Sequence, residues 1–189
     1  LTDIDLGRDS LSKSFKLGGT KMFVRNQKGS LSGSADITLN DFQTEATRSK
    51  NGNAYGIGLK GSYDPLGGKV IILPNFSYIL TEARADSDTT DVLSVSLGAS
   101  APIGTQWTGS LTVKQTKTGR NGPDTTVSEL VREDDTFNWT ASFNWRKPGP
   151  PNKKIPTLGI TFGETKTNSN ILNFDSVTRD ANLALTWVF

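Results

Sequence analysis

The chain has 189 residues, 34% of them hydrophobic, with a formal charge of +2 and a mean hydropathy of −0.40. No stretch approaches the roughly 20 consecutive apolar residues of a membrane helix, and so small and evenly spread a charge argues against nucleic acid as a partner. The absence of Cys and His removes disulfides, thiolate metal sites and the commonest general base, so neither an enzyme nor a cofactor is expected.

The length suits one domain over residues 1–189. Leu1-Thr2-Asp3 lacks the basic start and apolar run of a signal peptide, so export requires that such a segment has been removed. The 19 glycines, with abundant Ser, Thr and Asn, fit short strands and many turns. No amphipathic helix longer than two turns is expected.

In chain order, 1–6 can form a short strand, and 15–24 reads as a strand without clean alternation. Segment 30–42 follows with Leu31, Ala35, Ile37 and Leu39 on one face, then 54–63 with Tyr55, Ile57, Leu59 and Tyr63. In 69–82, Val70, Ile72, Phe76, Tyr78 and Leu80 share a face, and Ile71, Leu73 and Ile79 make the other face apolar too. Segment 92–101 alternates Leu93, Val95, Leu97, Ala99 and Ala101 with Ser94, Ser96, Gly98 and Ser100. Segment 106–116 sets Trp107, Gly109, Leu111 and Val113 against Thr108, Ser110, Thr112 and Lys114. In 136–146, Phe137, Trp139, Ala141, Phe143 and Trp145 oppose Thr136, Asn138, Thr140, Ser142, Asn144 and Arg146. Segment 157–165 sets Leu158, Ile160 and Phe162 against Thr157, Gly159, Thr161 and Gly163. The last, 180–189, carries Ala181, Leu183, Leu185, Trp187 and Phe189 on one side. Apart from 1–6, 15–24 and 69–82, these segments have the period of two that marks a strand with one apolar face. Nine strands are expected, with 1–6 as a tenth.

The connections alternate. Those at 43–53, 83–91, 117–135 and 166–179 are long, those at 25–29, 64–68 and 102–105 are tight, and Pro-rich 147–156 is intermediate. Short turns on one side and long loops on the other describe a transmembrane barrel. Because the polar face is mostly Ser, Thr, Asn and Gly, the expected fold is an all-β antiparallel transmembrane barrel of about ten strands. Residues 1–6 would close it against 180–189.

The aromatic residues Tyr55, Tyr63, Trp107, Trp139, Phe143 and Trp145 are expected to form girdles at the membrane interfaces. Ser94, Ser96, Thr108, Thr112, Asn138, Thr140, Ser142, Asn144 and Thr161 are expected to face the lumen, as is Ser30. Short neutral side chains leave room there and impose little charge selectivity. The loop carboxylates Asp86, Asp88 and Asp91, and the group at Asp124, Glu129, Glu133, Asp134 and Asp135, match no EF-hand spacing, so no metal site is expected. Gly56-Ile57-Gly58 and Gly67-Gly68 open no helix and are strand and turn glycines rather than a phosphate loop.

The end of the chain carries a resemblance. Lys166-Thr167-Asn168-Ser169-Asn170-Ile171, Phe174-Asp175, Arg179 and Leu183-Ala184-Leu185-Thr186-Trp187-Val188-Phe189 resemble the closing hairpin of proteobacterial outer-membrane barrels. Among these are the barrel domains attached to tetratricopeptide regions in polysaccharide exporters and surface-lipoprotein assembly modifiers. The resemblance implies a bacterial outer-membrane location and insertion by the barrel-assembly machinery. Leu183, Leu185, Trp187 and Phe189 would be the insertion signal, with outer-membrane lipid and lipopolysaccharide as surroundings. The function it implies is a pore or export channel for solute or polymer. The alternatives are a non-transporting structural or adhesive barrel that binds partners through its long loops, and a soluble secreted β-sandwich module. Barrels of ten strands or fewer are often filled, so a wide pore calls for a larger assembly or an additional chain.

Overall fold

The computed structural model describes residues 12–42, 50–123, 128–146 and 157–186. They form nine strands: β1 (Ser12–Asn26), β2 (Gly29–Phe42), β3 (Gly52–Tyr63), β4 (Ile71–Ala83), β5 (Thr90–Ile103), β6 (Trp107–Arg120), β7 (Glu133–Arg146), β8 (Thr157–Ser169) and β9 (Ser176–Thr186). Each strand pairs antiparallel with the next in sequence, giving one meandering sheet in the order β1 to β9. All nine strands expected from the alternation are present. The segment proposed as a tenth, 1–6, lies outside the described residues.

Two expectations need correction. The described sheet is open: β1 and β9 are its two edges and do not pair with each other. The loops are also less unequal than expected, because β5 to β9 begin or continue beyond the alternating segments. Connections 84–89 and 170–175 are no longer than 64–70. The physical reason is that polar residues on both faces, such as Thr116–Arg120 and Glu133–Thr136, still pair backbone to backbone. Short 3-10 turns at Asp86–Asp88 and Leu172–Phe174 tighten the two shortened loops.

Partners across a ladder share a face, so the register sorts side chains over the whole sheet. The row that starts at Gly29, beside the first turn, runs through Tyr63, Ile72, Ala99, Leu111, Ala141 and Phe162 to Ala181. Its members are mostly apolar. A second row on this face starts at Gly19, in the middle of the apolar run of β1. It passes Ala35, Ile57, Tyr78 and Leu93, and ends among Lys117, Asp135 and Asn168. By β8 the apolar run has moved down to Leu158, Ile160 and Phe162. The apolar band therefore drifts by roughly one residue per strand. At about 3.3 Å along a strand for each ~4.8 Å across, it crosses the sheet at roughly 35°.

Local irregularities have identifiable causes. The register of β1 on β2 shifts between Met22 and Val24, a bulge at Phe23. The Phe23 ring lies over Gly33, where an added Cβ would stand 2.6 Å from Cε2. Pro74 lacks an N–H, and the β3–β4 register is interrupted between Lys60 and Tyr63 opposite it. Asp36 extends across the polar face over Gly18 and Gly56, and a Cβ on Gly56 would meet its Oδ1 at 2.8 Å. There it pairs with Lys16 at 3.1 Å.

Gly56→Val is expected to displace the Asp36 carboxylate and to cost about 1–3 kcal/mol in the manner of an overpacked site. Unfolding measurements on G56V, D36A and the double variant check this. The double variant should be more stable than the sum of the single losses.

Candidate functional site

Apart from β4, which places exposed Ile71, Leu73 and Ile79 on the polar face, the two faces of the sheet are chemically opposite, and in the middle strands the apolar face is the more exposed. Among the described residues no hydrophobic side chain is buried. In the middle of β5 Val95, Leu97 and Ala99 are exposed, whereas Ser94 and Gly98, on the other face, are buried. In β3, Tyr55, Ile57, Leu59 and Tyr63 are exposed and Gly56 is buried. Leu97 is 51% exposed against 4% for Ser94.

The polar face is tied by side-chain hydrogen bonds between neighbouring strands. Hydroxyl pairs form at Ser30–Ser62 (2.9 Å), Ser94–Thr116 (3.0 Å), Thr136–Thr167 (3.1 Å) and Ser142–Thr161 (3.2 Å). Asn138 Nδ2 donates to Thr165 Oγ1 at 2.7 Å. Each typically contributes about 0.5–1.5 kcal/mol. Ser94, Ser96, Thr108, Thr112, Asn138, Thr140, Ser142, Asn144 and Thr161, singled out from the sequence, all fall on this face.

The aromatic residues singled out fall on the opposite face. Tyr63, Trp107 and Trp145 stand at its turn-side border, where Trp107 faces Trp145 and Trp145 Nε1 donates to Gln106 Oε1 at 2.8 Å. Tyr55 and Trp139 stand at its loop-side border, beside the rung pairing Asn53 with Glu82 and opposite Glu164, respectively. Phe143 lies inside the band, next to Ile160. Leu183 and Leu185 are on the apolar face of edge strand β9, 69% and 66% exposed. Trp187 and Phe189 lie outside the described residues.

The alternation alone did not single out an open notch of about 550 Å³ on the apolar face. It forms where Gly19, Gly33 and Ala35 leave space between Phe23, Ile57, Leu59 and Phe76. Its walls are almost wholly carbon, which suits an alkyl chain.

Beyond the apolar band, on the loop side, polar side chains hold the loops together. Arg132 pairs with Asp134 at 2.7 Å and lies 3.6 Å over the Phe174 ring. Asn170 receives the Glu133 N–H on Oδ1 and donates from Nδ2 to the Val131 carbonyl. Arg120 donates to the Ser87 carbonyl. Burial raises the Asp134 carboxyl, but hydrogen bonds from Arg132 and Ser169 and the charges of Arg132 and Arg120 more than offset it. Its pKa is held below the ordinary value of 3.8. Among the described residues no group of three or more His, Cys, Asp or Glu is placed to hold a metal ion.

Comparison with known protein families, with curated proteins and with solved structures finds no match.

Because the folded pKa of Asp134 is depressed, its contribution to stability is present above pH 3.8 and is lost as pH falls through the folded value. Asp134→Asn should lower the unfolding midpoint at pH 7. The gap to wild type should close as the pH drops below that of an ordinary carboxyl, in unfolding curves recorded across the acid range.

Proposed function

We propose that the chain forms the wall of a bacterial outer-membrane β-barrel, with its apolar face against lipid and its Ser/Thr/Asn face lining a hydrated pore for solute or polymer. The observation that carries this reading is the inverted exposure of the two faces. Nine strands expose a continuous apolar face far beyond the few hundred Å² typical of a soluble monomer's largest apolar patch. In water, leaving it uncovered forgoes about 25 cal/mol for every Å² of apolar surface.

Three further features support lipid as the covering. Five of the nine strands carry apolar-face runs within the roughly 9–11 residues of a transmembrane strand (Leu31–Leu39, Tyr55–Tyr63, Ile72–Leu80, Leu93–Ile103 and Phe137–Trp145). The drift of roughly 35° lies at the lower end of the 35–45° at which barrel strands tilt. Tyr and Trp stand at both borders of the band, where such rings suit a membrane interface.

Closure follows from direction. With an odd number of antiparallel strands among the described residues, β1 and β9 run the same way, so the barrel closes through a parallel β1–β9 pair or through strands beyond those described. The chemistry of the lumen face, rather than any catalytic constellation, then sets what passes. The loop-side assembly around Arg132, Phe174 and Asn170 favours a second reading, in which the loops bind a partner and no solute passes.

Two measurements test the proposal. The membrane-extracted protein should migrate differently on SDS gels before and after boiling, and recovery in the aqueous fraction with no such shift would overturn it. Leu97→Arg, in the middle of the apolar face, should cost about 2–4 kcal/mol of stability in bilayers. Thr112→Arg, on the polar face, should cost far less.

A further inference from the structure

Sorting the strand charges by face shows an imbalance that the net charge of the chain conceals. The polar face carries Lys16, Arg25, Lys60, Lys114, Arg120 and Arg146 against only Asp36, Asp134 and Asp180. Two of these acids are already neutralised, Asp36 by Lys16 at 3.1 Å and Asp134 by Arg132 at 2.7 Å. Most strand acids instead lie on the apolar face toward its loop-side end: Asp41, Glu82, Asp91, Glu133, Asp135 and Glu164.

Lys60 and Lys114 stand on one rung of the polar face. It runs Ser32, Lys60, Asn75, Ser96, Lys114, Asn138, Thr165, Thr178. On β1 the rung ends at apolar Met22, and every other member is an uncharged donor or acceptor. The two lysines are exposed, and among the described residues neither makes an ion pair with a carboxylate. They are three strands apart, about 14 Å across the sheet at ~4.8 Å per strand. That spacing leaves a solute-sized gap flanked by two ammonium groups, with hydroxyl and amide groups between them.

We infer that this rung makes the polar face selective for anions, with Lys60 and Lys114 as the residues that set the preference. The inference rests on the pore reading and deepens it, since a neutral lumen would discriminate little. A confined aqueous path between low-dielectric walls focuses the field of a few fixed charges. Unopposed ammonium groups on such a wall concentrate anions and repel cations. Lys16 has its own carboxylate, Arg120 is tied to the loop carbonyl of Ser87, and Arg25 and Arg146 sit at the turn end. That leaves Lys60 and Lys114 as the free positive charges within the band, with Asp180 as the one carboxylate on the described polar face that no ion pair neutralises.

The test is the reversal potential of the purified full chain in planar bilayers under a potassium chloride gradient. Wild type should favour chloride. K60E/K114E leaves four basic and five acidic residues on the polar face, so the sign should invert, and K60Q/K114Q should move it toward zero. K117E/K166E makes the same charge change on the opposite face and should leave the sign unchanged. A wild type that passes current but favours potassium, or variants that keep wild-type selectivity, would overturn the inference while leaving the pore intact. A wild type that is folded by the SDS criterion yet passes no current would overturn the pore reading instead. The anion site is then decided by fluorescence anisotropy with the trisulfonate dye pyranine. Binding that K60E/K114E loses supports the site, and equal or absent binding refutes it.

Discussion

A one-layer sheet with an apolar face must have that face covered, and nothing in the described part of this chain covers it. The backbone is satisfied strand to strand from β1 to β9, so hydrogen bonding keeps the sheet together. Side-chain packing does not, since no hydrophobic residue among those described is buried. A water-soluble sheet would rest its apolar face on a second layer. Here that face remains outermost, and the proposed location, the strand tilt and the lumen all depend on reading that covering as lipid.

The polar face fits the same account through the size of its side chains. Gly56, Gly98 and Gly163 are buried there beside Ser94, and the serines and threonines satisfy one another in pairs. Glycines opposite acids give carboxylates room to lie flat: Asp36 over Gly56 and Asp180 over Gly163. Small residues keep that side uncrowded, which suits the inside of a curved sheet. The large residues Trp107, Trp139, Trp145 and Phe143 are kept for the other side, where volume costs nothing.

Much of this was legible in the sequence. The period-2 alternation from Leu93 to Ala101 and from Thr136 to Arg146 is enough to place a strand and assign its faces, and the same parity separates the lumen candidates from the aromatic residues. Strand ends were not legible. Thr116–Arg120, Glu133–Asp135, Lys166–Ser169 and Ser176–Arg179 are polar on both faces, so no alternation marks them as strand. The bulge at Phe23, the carboxylates lying over glycines and the oblique drift of the apolar band depend on register between strands. A single strand's pattern does not contain that register. The face-by-face charge imbalance was within reach of parity, but it emerges only when every strand is summed.

The central claim is that the apolar face meets lipid and the polar face meets water. The chain has no cysteine, so single cysteines can be placed one at a time along β5 at positions 94–99 and given nitroxide labels in bilayer-inserted protein. Collision rates with lipid-dissolved oxygen and with an aqueous nickel chelate should then alternate with a period of two. Labels at Val95, Leu97 and Ala99 should see oxygen, and those at Ser94, Ser96 and Gly98 should see nickel. Labels at Val95, Leu97 and Ala99 that are reached by nickel, or shielded from both, would mean that this face lies in water or against protein, contradicting the account.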